Sequence, residues 1–202
     1  MQDDPVAHWQ AAYSGKAEDA QSWFQAAPEA SVAMIERAEI GPGASVIDIG
    51  GGASRLVDAL LARGFADITV LDLSAAAMEI ARRRLGAAAQ RVSWIQADIT
   101  DWTPPRHYDL WHDRAAFHFL FGDQVARYRA ALHAALAPGG QAVIATFAPD
   151  GPARCSGLPV QRYDPQSLAR ALGLVLVASR TEAHQTPRGM QQMFQISLLR
   201  QG

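Results

Sequence analysis

The stretch Ser45-Val46-Ile47-Asp48-Ile49-Gly50-Gly51-Gly52-Ala53-Ser54 decides the fold. Its first five residues are short and mostly β-branched, which is typical of a buried strand. Three glycines then provide a tight turn, and residues 53–63 carry a helical pattern that ends at Gly64. A strand, a glycine turn and a helix in this order predict the first unit of a parallel sheet.

The same alternation continues along the chain in both directions. Further strands are predicted at 68–72, 92–96, 108–112 and 141–147, and helices at 28–40, 74–85, 123–136 and 165–172. Two closing strands at 174–179 and 193–199 have no helix between them, which predicts an antiparallel hairpin. We therefore predict an α/β fold: a doubly wound, mostly parallel seven-stranded sheet with an antiparallel last strand and helices on both faces.

Length and composition indicate a single globular domain. The 202 residues are 49% hydrophobic and 19% charged, and we assign them to one domain, 1–202, with an N-terminal cap and first helix at 1–40 and a core at 44–200. The net charge of −2 argues against nucleic acid as a partner. The oligomeric state cannot be predicted from these numbers.

The cellular setting is predicted from segments that the chain lacks. Cys155 is the only cysteine, which excludes an intramolecular disulfide and a thiolate zinc cluster and suits a reducing compartment. Residues 1–5 are acidic and do not resemble a secretory signal, and no apolar run is long enough to cross a bilayer. We predict a cytoplasmic protein without a membrane partner.

An aspartate stands at the end of each of the first three predicted strands. Asp48 precedes the glycine turn, Asp72 ends the second strand, and Asp98 follows the third. Ligands of doubly wound sheets bind beyond the carboxyl ends of the strands. There Asp72 could accept both ribose hydroxyls of a nucleoside, and Asp98 could accept the adenine amino group, with Ile99 packed on the ring.

The glycine turn favours S-adenosylmethionine (SAM) over a dinucleotide. Gly50 and Gly52 fit the dinucleotide fingerprint, but Arg55 stands where that fingerprint requires a third small residue. Asp48 would also repel a pyrophosphate, whereas it could bind the ammonium group of a methionine moiety.

With these motifs the chain resembles the class I SAM-dependent methyltransferases. The resemblance rests on five stretches in the family's order: 46–52, 71–74, 96–99, 108–110 and 136–140. It implies that SAM is the cofactor, that Asp48 and the glycines line its methionine part, that Asp72 holds the ribose, and that Asp98 and Ile99 frame adenine. The full predicted set of cofactor-binding residues is Trp23, Asp48, Gly50, Gly51, Gly52, Asp72, Leu73, Asp98 and Ile99.

Two shorter stretches bear on the substrate. Residues 111–117 resemble a segment shared by thiopurine-methyltransferase-like enzymes and by lysine methyltransferases that act on elongation factors. Residues 22–25 resemble an aromatic segment of the latter group. These similarities leave two acceptors open, a small molecule or a protein lysine.

Three consecutive residues at the end of the fourth strand are the catalytic candidates. His112 could take a proton, Asp113 could act as a base or orient a lysine, and Arg114 could bind an anionic substrate as a planar fork. The alternative is that Asp113 and Arg114 only fix the loop. No metal site is predicted, because His112, His118 and His184 are interpreted as histidines with hydrogen-bond partners.

Two further segments could border the site. The early aromatic residues Trp9, Tyr13, Trp23 and Phe24 are interpreted as a lid over SAM. Cys155 lies in an irregular stretch, where it could face the active site or be an inert buried thiol; the inert interpretation is preferred.

The predicted function is methyl transfer from SAM to a small molecule with a soft, sulfur-type nucleophile. A protein lysine is the alternative acceptor. Alternatives of another class are a dinucleotide-dependent oxidoreductase and a SAM-binding module without catalysis.

Overall fold

The computed structural model describes residues 5–14 and 18–202, so the predicted acidic start at residues 1–4 lies outside the described residues. The helices are α1 Pro5–Ser14, α2 Glu29–Arg37, α3 Leu56–Ala62, α4 Ala75–Leu85, α5 Asp123–Ala135 and α6 Pro165–Leu172. The strands are β1 Ser45–Ile49, β2 Asp67–Asp72, β3 Val92–Gln96, β4 Tyr108–Arg114, β5 Leu136–Phe147, β6 Arg154–Cys155, β7 Leu158–Pro159, β8 Val175–Gln185 and β9 Gln191–Arg200. None of the described helices has the length and apolar character that crossing a membrane requires.

Seven of the strands form one twisted sheet in the order β3-β2-β1-β4-β5-β9-β8. The pairs from β3 to β5 are parallel, and β9 is antiparallel to both of its neighbours. This confirms the predicted fold class, including the antiparallel last strand. The short strands β6 and β7 form a separate ribbon.

Each face of the sheet is covered by its own hydrophobic core. Side chains of successive residues point to opposite faces, so Val46 packs with α2, α3 and α4, whereas Ile47 packs with α5 and α6. Trp111, Tyr108 and Tyr128 are the largest fully buried residues on the second face, and the Trp111 indole donates to the Tyr128 hydroxyl at 2.9 Å. Burial on both faces explains why the central strands have continuous apolar sequences.

Two element boundaries differ from the prediction around the glycine-containing turns. The helix predicted at 53–63 begins at Leu56, because the Ser54 hydroxyl accepts a hydrogen bond from the Leu56 backbone N–H at 3.1 Å. The strand predicted at 141–147 begins at Leu136, which pairs with Tyr108. A shift in register between Tyr108 and Leu110 accommodates residues 137–140 within the strand.

The closing hairpin is confirmed but is longer than predicted. β8 continues six residues beyond the predicted end at Ser179, through the mostly polar residues 180–185. As the outer strand of the sheet it is largely exposed, so polar side chains are tolerated on both of its faces. The extension brings Glu182 and His184 beside the N-terminal segment.

Candidate active site

Two adjoining cavities open at the carboxyl edge of the parallel strands. The larger has a volume of about 640 Å³ and runs from the tips of β2 and β3 to the β6–β7 ribbon. The smaller, about 60 Å³, lies against the glycine turn after β1. Their shared walls include Tyr13, Trp23, Gly50 and Arg114.

The three glycines of the turn make room for protein atoms. A Cβ atom on Gly50 would lie 2.8 Å from Cβ of Ala116, and one on Gly51 would lie 2.5 Å from a carboxylate oxygen of Asp48. A Cβ on Gly52 would lie 2.7 Å from Oδ2 of Asp72. Gly50 and Gly51 line cavities, whereas Gly52 lines neither. These glycines let the chain pass close to two carboxylates.

Asp48 and His112 form a buried pair beside the smaller cavity. Oδ1 of Asp48 lies 2.6 Å from Nδ1 of His112, and Nε2 of His112 lies 2.9 Å from the hydroxyl of Ser31 on α2. Oδ2 of Asp48 is buried and has no partner among the described residues. The predicted acceptor-side base His112 therefore has both ring nitrogens engaged, and a spare carboxylate oxygen of Asp48 remains in a cavity wall.

Asp72 lies in the wall of the larger cavity at the end of β2. The backbone N–H groups of Ser74 and Gly52 donate to its carboxylate, the first at 2.7 Å. Burial, and to a smaller extent the charge of Asp48, raise the pKa of Asp72 to about 7. Ser74 is the N-cap of α4, as predicted, so the start of this helix fixes the carboxylate.

Asp98, Ile99 and Leu73 line the same cavity. Oδ1 of Asp98 accepts the backbone N–H and the hydroxyl of Thr100, each at 2.8 Å. No described residue bonds to Oδ2 of Asp98. The turn thus fixes the carboxylate and leaves one of its oxygens for a ligand, beside the buried side chain of Ile99.

Asp113 lines neither cavity. Its carboxylate is fully buried and accepts the backbone N–H groups of Ala116 and Phe117 at 2.9 and 3.1 Å and the Tyr128 hydroxyl at 2.7 Å. Burial raises its pKa to about 6, against the effect of these hydrogen bonds. Asp113 therefore fixes the backbone of residues 116 and 117, which follow β4.

Arg114 is the one member of the predicted catalytic triplet that lines the larger cavity. Its Nη1 donates to the backbone carbonyl of Trp23 at 3.1 Å, and the guanidinium lies 4.5 Å from the centre of the Phe194 ring. Nε and Nη2 are buried and have no partner among the described residues. Burial lowers the pKa of Arg114 to about 10, so the group stays charged at neutral pH.

The N-terminal segment covers both cavities, as the lid interpretation requires. Trp9 and Tyr13 of α1 line the larger cavity, and the Trp23 indole donates to the Tyr13 hydroxyl at 2.9 Å. α1 buries no residue completely. It is held by the side chain of Gln10, whose Oε1 accepts from the Ser74 hydroxyl at 2.7 Å and from the Ala76 N–H at 3.0 Å.

Sequence reasoning missed the part of the wall that the β6–β7 ribbon supplies. Cys155, Leu158 and Pro159 line the larger cavity, although Cys155 was interpreted as inert. Burial raises the pKa of the Cys155 thiol to about 11, so it remains neutral. Phe119, near the end of β4, also lines the cavity and packs against Trp9 with ring centres 5.1 Å apart. Only the length of the irregular stretch indicated that this loop could reach the site.

Comparison with known proteins identifies the enzyme class. Residues 46–140 match a family described as a methyltransferase domain. The chain carries a methyltransferase domain. The matched part runs from β1 into β5, so it includes the glycine turn and all three strand-ending acids that border the cavities. No curated protein sequence is significantly similar to this chain.

Solved structures share the fold of this methyltransferase domain over nearly the whole chain. A protein solved in work on the conversion of a disulfide bond into a thioacetal group during echinomycin biosynthesis is 24% identical, with a TM-score of 0.78 over 97% of this chain and 92% of that one. The 1,6-didemethyltoxoflavin-N1-methyltransferase of Burkholderia thailandensis, with its substrate and S-adenosylhomocysteine (SAH) bound, is 20% identical, with a TM-score of 0.69 over 97% and 83%. The N-methyltransferase NodS from Bradyrhizobium japonicum, solved with SAH, is 17% identical, with a TM-score of 0.71 over 98% and 99%. The similarity to thiopurine and elongation-factor methyltransferases stays a prediction.

Proposed function

We propose that the chain transfers a methyl group from SAM to a small molecule with a soft nucleophile, with sulfur the leading acceptor atom. The observation that carries the proposal is the cavity of about 640 Å³ with Asp72 and Asp98 in its wall, joined to the smaller cavity that holds Asp48. This volume is in the range of small-molecule sites. It extends beyond the acids to the apolar ribbon, which leaves space for an acceptor beside a nucleoside.

The residues at the tips of β1, β2 and β3 fit SAM. The spare Oδ2 of Asp48 would bind the ammonium group, Asp72 the ribose hydroxyls, and Asp98 with Ile99 the adenine. Trp23, Gly50, Gly51 and Leu73 would complete the wall around them. SAM supplies a methyl group on a positively charged sulfur, and the protein's task is to hold donor and acceptor in line and to exclude water. The lid formed by α1 and Trp23 serves the last task.

The acceptor side of the larger cavity supports a nucleophile that needs no enzymatic base. Among its described lining residues there is no histidine or lysine, and the Cys155 thiol is neutral. A free thiol titrates near pH 8.5, so a useful fraction is ionised at neutral pH without assistance. The echinomycin-related neighbour was solved in work on the conversion of a disulfide bond into a thioacetal group, whereas the toxoflavin and NodS neighbours are N-methyltransferases.

A protein lysine is less favoured as acceptor. A lysine amine is protonated at neutral pH and must lose a proton before it attacks. Asp113, the residue expected to orient a lysine, accepts three protein hydrogen bonds away from the cavities. Its carboxylate therefore has no path to such a substrate.

The test is a transfer assay with methyl-labelled SAM and a panel of small thiols, amines, phenols and carboxylates, alongside calorimetric titration with SAH. We expect SAH to bind, NAD to give no heat, and label to appear as a thioether. An N-methyl or O-methyl product would overturn sulfur as the acceptor atom. Label on a protein lysine would overturn the small-molecule proposal, and the absence of SAH binding would overturn the whole proposal.

A further inference from the structure

The cavity wall contains a cation, Arg114, that has no ion-pair partner among the described residues. Arg114 is partly buried, and no carboxylate oxygen of the described residues lies within the 4.0 Å of an ion pair. Its Nε and Nη2 donate no hydrogen bond to any of the described residues. Buried unpaired charges are costly, so native proteins pair them with an opposite charge or use them to bind one.

The unused donors of Arg114 share one edge of the guanidinium group. Nη1, on the side of the plane that faces Cδ, is engaged by the Trp23 carbonyl. Nε and Nη2 carry two parallel N–H bonds on the other side. This is the pair of donors that binds both oxygens of a carboxylate at once, a geometry that neither a single hydroxyl nor a thiolate can match.

The groups around the guanidinium do not neutralise it. Glu182 is the acid whose charge acts most on it, but Oε1 of Glu182 accepts from Gln25 at 3.2 Å, and the buried Oε2 has no hydrogen-bond partner among the described residues. Cys155 is a neutral thiol. Burial and the charge of Arg114 lower the pKa of His118 to about 3 and also lower that of His184, so both are neutral at pH 7.

The guanidinium lies at the junction of the two cavities, on the side that faces β9. Asp48 and the glycine turn belong to β1, and Arg114 ends β4, the next strand in the sheet. From there its side chain extends across β5 to stack on Phe194 of β9. The guanidinium thus extends from the wall that the two cavities share towards β9, whereas the acids assigned to the donor end β1, β2 and β3.

We propose that Arg114 binds a carboxylate of the methyl acceptor, which makes the substrate a small carboxylic acid with an apolar or aromatic body. The inference rests on the proposed function and specifies the acceptor of that same site. The rest of the acceptor wall is apolar, with Trp9, Phe119, Leu120 and Leu158 facing the cavity. Nε and Nη2 of Arg114 are buried from water. With the lid closed, a bound carboxylate would satisfy these two donors, which otherwise lack a hydrogen-bond acceptor.

The experiment measures acid preference in the SAH-loaded protein. Benzoate, phenylacetate, 3-phenylpropanoate and indole-3-acetate are titrated calorimetrically, each against its primary amide. We expect at least one acid to bind wild type ten times more tightly than its amide. Arg114→Met should reduce that preference below twofold, and Arg114→Lys, which keeps the charge but loses the parallel donors, should reduce it in part.

Arg106→Met is the matched control. Arg106 also stacks on an aromatic ring at 4.5 Å, that of Tyr108, but it is paired with Asp67 at the opposite edge of the sheet. We expect this variant to keep the wild-type preference. Circular dichroism establishes that each variant is folded, and Arg114→Lys carries the test if Arg114→Met does not fold.

Two results would overturn the inference. One is a wild-type protein that binds SAH but favours no acid over its amide. The other is an Arg114→Met variant whose SAH affinity falls tenfold while its affinity for 5′-methylthioadenosine, which lacks the amino-acid part, is unchanged; Arg114 would then serve the donor's carboxylate. Failure of wild type to bind SAH would instead overturn the proposed function itself.

Discussion

The two halves of the cavity edge differ in how their charged groups are paired. At the tips of β1, β2 and β3, each aspartate is held by protein donors and still presents an oxygen or a carboxylate face to a cavity. At the tip of β4 the pattern reverses: Asp113 is fully engaged by protein groups, and Arg114 has two donor nitrogens without a partner in the described part of the chain. One half is built around negative charge and the other around a positive one.

This difference indicates how the site distinguishes its two ligands. SAM carries a sulfonium and an ammonium group, which the acid-lined half attracts. An anionic acceptor is repelled by those acids and attracted by Arg114. If the ligands bind as proposed, the acids would favour the positively charged groups of SAM, and Arg114, in the wall that the two cavities share, would favour the anionic acceptor.

The largest effect is expected from Asp72→Asn, which removes the charge that is assigned to the ribose. Loss of a charge-assisted hydrogen-bond acceptor costs about 2.7 kcal/mol, roughly a 100-fold loss of SAH affinity. Calorimetric titration measures it. Asp67→Asn changes the same residue type at the other end of β2, where it pairs with Arg106, and should leave SAH affinity unchanged. Equal affinities for wild type and Asp72→Asn would contradict the donor half as described.

Asp113→Asn tests the reversed pattern at the tip of β4. Removing the charge from a buried acceptor of three hydrogen bonds should lower the free energy of unfolding by about 2 kcal/mol, measured by urea denaturation. SAH affinity should change little. The control Asp101→Asn alters an exposed acid paired with Arg127 and should cost less than about 0.5 kcal/mol. A variant with unchanged stability but no methyl-transfer activity would contradict the structural role and indicate that Asp113 takes part in the reaction.

The pH dependence of SAH binding sharpens the comparison further. Burial raises the pKa of Asp72 to about 7, and the ionised form is the one that accepts two hydroxyls. SAH affinity should therefore rise about tenfold from pH 6 to pH 8, because the ionised fraction rises by that factor. Asp72→Asn should show a flat profile over the same range.

The same shift has a consequence for stability, with a fixed sign. The folded state binds the Asp72 proton more tightly than the unfolded chain, whose carboxyl titrates near pH 4. The contribution of Asp72 to the free energy of unfolding is therefore greatest below pH 4 and falls as the pH rises towards 7. Urea denaturation of the ligand-free protein should show that the free energy of unfolding falls less between pH 4 and pH 7 in Asp72→Asn than in wild type. An identical decline would mean that Asp72 is not buried in solution.

The smallest effect is expected from Gln10→Ala, which releases α1 from the start of α4. Because α1 buries no residue completely and depends on polar contacts, losing two hydrogen bonds of Gln10 should speed SAH dissociation about threefold. Stopped-flow fluorescence of the nearby tryptophans measures the rate. Gln166→Ala, an exposed change in the first turn of α6, is the control. Faster release from both variants would show a general loss of stability.

The fold was predictable where the signal is local. β1, β3 and α6 have the predicted bounds, and Ser74 caps α4 as expected. The burial of a strand and the capping of a helix depend on a few neighbouring residues, so a local sequence pattern is enough to predict them. The early start of β5 and the long polar β8 depend on pairing partners far along the chain. Single-segment patterns carry no information about such partners.

Within the site, the residues at the strand ends were easier to predict than the directions in which their side chains point. Asp72 and Asp98 border the larger cavity as the strand-end rule predicted. His112 and Asp113 sit on opposite faces of β4, and their hydrogen bonds to Ser31 and Tyr128 come from distant helices. Arg114 likewise has no ion-pair partner among residues 5–14 and 18–202, and this depends on the assembled fold, so no sequence motif predicts it.

The turn after β1 constrains how this sequence can diverge. Since the space beside Gly51 and Gly52 is filled by the carboxylates of Asp48 and Asp72, a methyl group at either position must displace an acid. Replacement of a glycine and replacement of its neighbouring aspartate are therefore epistatic: once the aspartate is lost, the added methyl group no longer displaces it, so the double replacement should be less harmful than the two single effects combined. Homologues that have lost these acids are the ones in which alanine or serine should be found in the turn.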